Sequence, residues 1–552
     1  MRRSRSVLLL LAVALFLGLS VATLPEAEAR PGGGSTYRGS SRSSSGSRSS
    51  SSSSRSSSSS RSSSSSRSSS SSSFGSGSSR SSYSSGSRSY SSGSSGVSYG
   101  PEVSAGQFGG FCLFIVVVGV GVLVLMSVNK GSEEQDWSTL APHAPPPPQR
   151  QGSLRTKLAG LARIGPKGSD GSMQPLDPEF SIVLFEDFVY SLFARVHEAR
   201  GGDRLDTLGG WLSDEALASL RALGTPDAVK AVVVGAVTYE DVKGVNPTSR
   251  RVRVVLRFEA NYTEASSGSE QSWYVAEEWQ LERDASAKSR APEDARAFKC
   301  PNCGAPLESV HGHKCSHCDT VVNTGEFDWV VTRVSSQERE RRGPQLTGTT
   351  EEQGTELPTV KDSRAQERLN ALLHDDPEAT PLALRKRLEF IFHEMQTAWA
   401  KREWQGMRPF LSDNLFQTQL YWINAYRQAG LRNITENAHI TNMVLARVTR
   451  DAYFDAVTLR VFAASLDYTV RDGDGQVVGG SRSRERAYSE YWTLIRGRGV
   501  HGKPSTRKQC PSCGAPLSIN MAGHCTHCQA RVTTGEFDWV LSRIEQDESY
   551  QG

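Results

Sequence analysis

A cysteine motif that occurs twice constrains this chain more than any other feature. The segment CPNCGAPL at Cys300 returns as CPSCGAPL at Cys510, and CSHC at Cys315 returns as CTHC at Cys525. The following TGEFDWVVTRV returns as TGEFDWVLSRI at the same displacement of 210 residues. Self-similarity at one displacement indicates two copies of one structural unit.

Each copy spaces its cysteines as C-x2-C-x11-C-x2-C. A CxxC turn presents two thiolates to one ion, and four thiolates close a tetrahedral zinc site without an open position. We therefore predict two structural zinc ions, with disulfides or iron as the alternatives. Gly304 and Gly514 are expected to adopt positive φ so that backbone amides point at sulfur. The predicted ligands are Cys300, Cys303, Cys315, Cys318, Cys510, Cys513, Cys525 and Cys528.

Four histidines near the cysteines are not predicted to bind metal. His317 and His527 lie inside CxxC turns and are expected to face solvent. His311 and His313 have no counterparts in the second copy. The cysteines alone therefore form the predicted ligand sets.

The repeat continues upstream, where Asp177-Pro178-Glu179 matches Asp376-Pro377-Glu378 at a displacement of 199 residues. Each copy opens with an apolar stripe at helical spacing, and strands follow, with clear alternation from Val252 to Tyr262. Helices followed by an antiparallel sheet predict an α+β domain. The two helical stripes are Phe185, Val189, Leu192 and Val196, and Leu384, Leu388, Ile391 and Met395.

Aromatic segments bracket each cysteine cluster and predict a hairpin that carries the cysteine module at its tip. These segments are EEWQLER (277–283) and EFDWVV (326–331) in the first copy, and EYWTLIR (490–496) and EFDWVL (536–541) in the second.

The acidic residues have structural explanations. Asp177 and Asp376 precede proline at predicted helix starts, where helix capping explains them. Four others alternate with aromatic residues on predicted strands and are expected to face solvent: Glu326, Asp328, Glu536 and Asp538. The chain contains no nucleophile elbow, HExxH or P-loop motif. We predict that it is not an enzyme and has no catalytic residues or small-molecule cofactor.

The N-terminal part has a different character. Residues 1–29 combine a basic start, an apolar run and Ala27-Glu28-Ala29, which indicates a signal peptide, with an uncleaved anchor as the alternative. Residues 30–107 are rich in Ser, Arg and Gly and cannot bury enough apolar surface to fold. Residues 108–128 are long and apolar enough to form a transmembrane helix.

This order predicts a single-pass protein of the cell inner (plasma) membrane after signal cleavage. The tail lies outside, and the span returns the chain to the cytoplasm, where a reducing environment suits paired CxxC thiols. The predicted parts after the span are a Pro-rich linker (129–176), a first domain (177–335, zinc module 300–318), a second linker (336–364) and a second domain (365–548, zinc module 510–528).

The charge distribution gives little support to nucleic-acid binding. The formal net charge is +4, but the segment from Pro31 to Gly100 holds eight Arg and no acidic residue. Residues 1–30 add about +2, so that residues 101–552 carry about −6. The folded region is therefore mildly acidic, without the basic patch that a nucleic-acid surface requires.

These residues resemble the translocase subunit forty-four-like (Tim44-like) domain family. The resemblance rests on the opening helix, Trp211–Asp214 and Phe410–Asp413, the E-x-W-x-L-x-R segments and the closing D-W-V segments. In mitochondria that subunit is the peripheral scaffold of the import motor, and bacterial chains of this type similarly have a signal, a Gly/Ser-rich tail and a span. The resemblance implies two tandem cone-like domains of the nuclear transport factor two type around an apolar pocket, with the zinc modules inserted in the last hairpin.

The leading hypothesis is a membrane-anchored, non-enzymatic scaffold that binds membrane lipid or membrane protein clients at the cytoplasmic face. An enzyme of the isomerase or hydratase type is one alternative, because related folds use the cone pocket for such chemistry; it would need an inward-facing carboxylate or Tyr with a shifted pKa. Nucleic-acid or ribosome binding through the zinc modules is the other alternative.

Overall fold

The structure is a computed structural model that describes residues 153–164, 174–295, 298–344, 346–347 and 354–552. The predicted signal peptide, the Ser-rich tail and the predicted transmembrane segment lie outside these residues. Within the described residues, every helix is too short or too polar to cross a bilayer.

The first half of the described chain combines helices with one antiparallel sheet, in the strand order β1-β2-β3-β6. A short strand pair, β4 and β5, lies inside the cysteine module. The elements are α1 (Leu154–Leu158), α2 (Ile182–Arg200), α3 (Asp214–Ala222), β1 (Ala228–Lys243), β2 (Arg251–Ser266), β3 (Ser269–Asp284), α4 (Pro292–Ala295), β4 (Val310–His311), β5 (Lys314–Cys315) and β6 (Val330–Glu340), with 3-10 turns at Ala159–Ala162, Leu205–Leu208 and Leu307–Ser309.

The second half repeats this arrangement, with the strand order β10-β9-β8-β7. In each sheet, two hairpins join the first three strands, and the fourth strand follows the cysteine module and pairs with the third. The predicted hairpin with the module at its tip is therefore confirmed. The elements are α5 (Ala365–Asp375), α6 (Pro381–Lys401), α7 (Asp413–Gln428), β7 (Leu431–Arg450), β8 (Phe454–Arg471), β9 (Val477–Gly497) and β10 (Val540–Gln546), with 3-10 turns at Trp404–Gly406 and Arg408–Phe410.

The opening helix of each half forms where the apolar stripe predicts it. Ser181 begins α2 as its N-cap, and its hydroxyl accepts from the backbone N–H of Leu184 at 3.2 Å. Thr380 caps α6 in the same way, with Pro381 at the first helical position. All eight residues of the two predicted stripes are buried.

The sheets are curved antiparallel sheets, and this mixed architecture agrees with the predicted α+β class. In β2 the predicted apolar positions from Val252 to Tyr262 are buried, whereas Arg251 and Arg253 are exposed. Bulges bend strands, and β1 and β7 each contain three register shifts. Those of β1 lie between Lys230 and Val233, Val234 and Ala236, and Tyr239 and Asp241.

The closing strands begin later than predicted. Residues 326–329 and 536–539 are irregular, and β6 and β10 start at Val330 and Val540. In each irregular segment the Asp carboxylate accepts from the next backbone N–H, as Asp328 does from Trp329 at 2.8 Å. That local hydrogen bond competes with strand pairing. The prediction that these acidic residues alternate along a strand is therefore wrong.

Two segments assigned to linkers contain regular structure. The first is α1 with the 3-10 turn after it, where Leu158 and Leu161 are fully buried against the first-half core. The second is the end of β6, which continues to Glu340.

A short parallel bridge joins the segment before α3 or α7 to the last strand of its sheet. Leu212 pairs with Val331 in the first half, and Leu411 pairs with Leu541 in the second. These are the Trp/Phe-Leu-Ser-Asp segments of the sequence repeat, and they bring the start of each helix to the strand that follows the cysteine module.

The hydrophobic cores of the two halves interlock. Phe454, Ala456, Ile495 and Val540 of the second half belong to the core cluster of the first half. Conversely, Val233 of β1 belongs to the core cluster of the second half. The two sheets therefore form one packed unit.

Candidate metal centres

The eight predicted ligands form two clusters. Within each cluster the four Sγ atoms lie within 4.8 Å of one another. The Sγ atoms of Cys300 and Cys318, and those of Cys303 and Cys315, are 3.9 Å apart, and those of Cys510 and Cys528 are 3.8 Å apart. Four thiolates around one zinc ion would be about 3.8 Å apart, given Zn–S bonds of about 2.3 Å. All eight cysteines are free thiols in this structure, with separations that fit a shared metal ion and not disulfides.

The turns around the cysteines have the expected backbone conformation. Gly304 and Gly514 have φ of 73° and 74°, which confirms the predicted positive φ after each CPxC turn. Asp319 and Gln529, each following the last cysteine of its cluster, adopt φ of 60° and 61°. The two modules therefore share the backbone conformation of their CxxC turns.

One thiol in each cluster ionises easily. Hydrogen bonds from the side chain and backbone of Thr320 lower the pKa of Cys318 to about 6. The backbone N–H of Ala530 and the neighbouring Ser512 lower the pKa of the equivalent Cys528 to about 7. In each cluster another cysteine, Cys303 or Cys513, has a raised pKa, so that the thiols of one cluster differ in how readily they ionise.

His313, His317 and His527 are not part of either group of potential metal ligands among the described residues. His317 and His527 are exposed, as predicted. His313 points away from the cysteines: its Nε2 lies 2.5 Å from Asp214, and its Nδ1 lies 3.2 Å from the carbonyl of Gly209. His313 therefore attaches the module to its domain.

The first module also docks through a close backbone contact. A Cβ placed on Gly209 would lie 1.9 Å from the carbonyl oxygen of Gly312 in the module. A larger residue would separate the two surfaces. Together with the bond from His313 to Asp214, this contact fixes the module against the start of α3.

The second module docks at the equivalent place with different chemistry. Arg408 donates to the carbonyl of Met521 at 2.8 Å and to Asp413 at 2.6 Å. Arg531 also pairs with Asp413, and Thr533 donates to it at 3.3 Å. Asp413 matches Asp214 at the displacement of 199 residues. One acidic position thus holds the module in each half.

Asp177 and Asp376 are buried ion-pair residues, and the prediction that they cap helices is wrong. Asp177 contacts Arg283 at 2.9 Å and accepts from Ser289. Asp376 pairs with Arg496 and accepts from the N–H of Gly502 at 3.2 Å. Burial alone would raise the pKa of Asp376, but the charge and hydrogen bond of Arg496, together with the backbone N–H groups of Gly502 and Glu378, lower it.

The two arginines were missed in the sequence, although their repetition was a usable signal. Arg283 and Arg496 occupy the same position of the E-x-W-x-L-x-R segments. Each lies over the ring of the closing Trp, at 5.0 Å for Trp329 and 4.6 Å for Trp539. The Asp–Arg–Trp unit therefore recurs in both halves and joins the segment before the opening helix to the closing strand.

The four acidic residues assigned to a solvated face divide into two kinds. Glu326 and Glu536 are exposed. Asp328, in contrast, pairs with Arg290, and Asp538 accepts from the backbone N–H of Ser505 at 3.0 Å. Both aspartates are half-buried.

A buried polar pair occupies the core of the first half. His197 Nε2 lies 3.2 Å from Glu277, whose carboxylate also accepts from Trp279 at 2.8 Å. Burial would raise the pKa of Glu277, but His197 and the hydrogen bonds lower it, while burial raises the pKa of Tyr262 to about 12. The ring of His197 lies 4.5 Å from that of Phe193 and 4.9 Å from that of Tyr262. These inward-facing groups therefore pack against one another and against aromatic rings.

Comparison with known proteins gives one partial match. Residues 365–505 match the family model described as the Tim44-like domain. The matched region covers α5 to β9 of the second half and ends before Cys510. No curated protein matches the chain. The Tim44-like match indicates a membrane-associated, transport-related role for a chain that also carries two clusters able to bind metal.

Proposed function

We propose that this protein is a membrane-anchored, non-enzymatic scaffold that serves protein transport at the cytoplasmic membrane face. The observation that carries the proposal is the Tim44-like match over residues 365–505. The predicted span at 108–128 supplies the anchor, and the clients are membrane lipid or membrane proteins.

We further propose that the first half is a second Tim44-like domain with the same cone-like fold. Its support is the shared strand order and the repeated Asp–Arg–Trp unit. A further contact recurs within each sheet. Trp279 donates to Glu277 at 2.8 Å in the first sheet, and Trp492 donates to Glu490 at 2.9 Å in the second. Contacts that recur at matching positions are expected of a duplicated domain.

The proposed metal is zinc, bound by Cys300, Cys303, Cys315 and Cys318 in one centre and by the four equivalent cysteines in the other. Bound zinc would hold the loop between the last two strands of each sheet, because four-thiolate sites contribute folding energy. This role is structural, since four protein ligands leave no open coordination position.

Metal content tests the zinc proposal. We expect the full-length protein to carry two zinc ions per chain and Cys303→Ser to carry one, with a lower Tm. The matched control is Cys112→Ser, because Cys112 lies outside both motifs. Mass spectrometry of the native protein counts the ions. Two ions in Cys303→Ser, or unchanged melting on chelation, would contradict a structural zinc centre.

In-cell crosslinking of the full-length protein tests the scaffold role. After purification under denaturing conditions, mass spectrometry should find components of a protein translocase or of envelope assembly, enriched over an uncrosslinked sample. A set dominated by ribosomal proteins would instead favour binding through the zinc modules. Absence of any membrane protein or lipid partner would reject the scaffold proposal.

Membrane orientation is tested separately. Membranes isolated as right-side-out and inverted vesicles can be treated with protease and probed with antibodies against the C-terminus. Cytoplasmic placement of residues 130–552 predicts digestion only in inverted vesicles. Digestion in right-side-out vesicles would reverse the proposed topology.

A further inference from the structure

A cleft of about 190 Å³ lies between the two halves, outside the sheet interiors. One wall is the face of α2 that carries Asp187, Ser191 and Arg195. The opposite wall consists of residues 412–414 at the start of α7 and of Arg531, Thr533 and Thr534, which follow the second cysteine module. Both halves are therefore needed to form it.

The acidic groups of the cleft already have partners. Asp187 accepts from the side-chain amide of Asn414 at 3.1 Å. Asp413 pairs with both Arg408 and Arg531. A cation entering the cleft would therefore compete with existing donors for both carboxylates.

Several donors at the cleft, in contrast, are unused. Among the described residues, the side chains of exposed Arg195 and half-buried Ser191 make no hydrogen bond or ion pair. The Nε atom of Arg531 is buried without a hydrogen-bond partner in the described structure. Glu198 lies three positions further along the same helix; burial raises its pKa, and the charges of Arg195 and Arg204 oppose that rise. The cleft thus offers donors in excess of acceptors, and this favours an anionic ligand.

The guanidinium of Arg195 is held in place by an aromatic ring. It lies 4.7 Å from the centroid of Phe298, whose ring stacks on that of Phe188 at 5.8 Å. Ile495 completes an apolar side of the cleft. A cavity of about 150 Å³ accommodates a benzene ring, so this cleft has room for a ring and a carboxylate.

From this geometry we propose that the cleft binds a small organic carboxylate. The carboxylate would accept hydrogen bonds from Arg195 and Ser191, and its apolar part would contact Phe298 and Ile495. This site is distinct from the scaffold role proposed above and does not depend on it.

The site would also connect ligand binding to the metal centres. Phe298 lies two residues before Cys300, and the segment 531–534 begins three residues after Cys528. Each metal centre fixes the backbone next to one of these elements. We therefore expect chelation of the metal to weaken carboxylate binding.

The test uses the full-length, metal-loaded protein and benzoate as the probe. Saturation-transfer NMR should detect benzoate binding, and benzamide, which has the same shape without charge, should bind about tenfold or more weakly. Competition with inorganic phosphate distinguishes a site that binds any anion from a site that also requires the aromatic ring of benzoate. Displacement of benzoate by equimolar phosphate would contradict the selectivity proposed for organic carboxylates.

Variants assign the binding to this cleft. Arg195→Met should weaken benzoate binding by about 10- to 100-fold, and Arg195→Lys should restore part of it. The matched control, Arg333→Met, removes an arginine that is 66% exposed on β6 and should leave binding unchanged. An unchanged Tm in Arg195→Met excludes loss of folding as the cause. No detectable benzoate binding, or equal binding by Arg195→Met, would overturn the proposal.

Discussion

The outer faces of the two sheets differ in composition and in what covers them. In the first half, β2 presents Arg251, Arg253 and Arg257 on this face, and all three are at least partly accessible to solvent. In the second half, the corresponding side of β8 includes Ala456, and nearly every residue of that strand is buried. The same strand order therefore supports one solvated face and one covered face.

The outer face of the second sheet is covered in two ways. Phe454, Ala456, Ile495 and Val540 pack into the core of the first half. Further along β8, buried Arg460 donates to the carbonyl of Leu357 at 2.6 Å and pairs with Asp547 at 3.0 Å. Tyr491 stacks on Tyr550 near the C-terminus, with ring centroids 3.7 Å apart.

This difference gives the contact between the two halves a direction. The packing is directional: the first half covers the outer face of the second sheet, whereas its own outer face is solvent-accessible as far as the described residues extend. Val183 on α2 is 3% exposed, whereas its counterpart on α6, Leu382, is 62% exposed. Head-to-tail contacts of this type are heterologous, so that the two halves expose different surfaces.

The substitution expected to destabilise the protein most is Ala456→Arg, on the covered outer face of the second sheet. By strand register Ala456 lies opposite Ile495, and Arg253 occupies the corresponding place opposite Glu282. An arginine at 456 would bury a charge without a partner in the contact between the halves. We expect a loss of about 4 kcal/mol or more in the free energy of unfolding, measured by urea denaturation. Wild-type stability would show that the first half does not cover this face.

Glu186→Gln should have the next largest effect. Glu186 accepts two hydrogen bonds from Arg155, at 2.6 and 2.8 Å, and also pairs with Arg543 of the second half. Removing its charge leaves buried Arg155 without its ion-pair partner and Arg543 with Glu545 alone, at 3.7 Å, which costs about 3 kcal/mol or more. Urea denaturation measures the loss. Glu215→Gln is the control, because Glu215 is an exposed partner of Arg333.

The pH dependence of stability gives a second test of Glu186. Burial would raise the pKa of Glu186, but Arg155 and Arg543 outweigh it and hold the pKa well below the ordinary value. Because the pKa of Glu186 is lower in the folded than in the unfolded protein, its ionised carboxylate stabilises the fold above the unfolded-state pKa of about 4.3. This stabilisation is lost as the pH falls through the folded-state pKa. Stability of Glu186→Gln should therefore decline less steeply than that of the wild type below about pH 4. Parallel curves would contradict this assignment.

Asp177→Asn and Asp376→Asn test the Asp–Arg–Trp unit that the two halves share. Each removes the charge opposite a buried arginine in the Asp–Arg–Trp unit, and we expect each to cost about 2 kcal/mol. The pKa of Asp376 is lowered, chiefly by Arg496 against the opposing effect of burial, so its contribution should disappear on acidification below about pH 4. Thermal and urea unfolding measure both variants. A large loss of stability in one variant and none in the other would show that the Asp–Arg–Trp unit does not stabilise the two halves equally.

Local patterns in the sequence predicted the parts of the structure that depend on local spacing. The helical stripes and the alternation in β2 depend on residues a few positions apart, and so do the CxxC turns. The partners of Asp177 and Asp376 could not be found this way, because residues 376 and 496 are 120 positions apart. The sequence of β8 alternates less clearly than that of β2, because a strand that is buried on both faces needs no polar side.

The smallest expected effect is that of Arg253→Ala, the counterpart of Ala456→Arg. Arg253 forms an ion pair of 2.9 Å with Glu282 on the open face of the first sheet, and its side chain is about half exposed. Exposed pairs of this kind contribute little because solvent and salt screen them, so the free energy of unfolding should change by less than about 0.5 kcal/mol. Urea denaturation at low and high salt measures this difference. A loss of more than about 2 kcal/mol in the free energy of unfolding would show that the outer face of the first sheet is covered in the native protein. The two sheets would then differ in what covers their outer faces, and not in whether those faces are exposed.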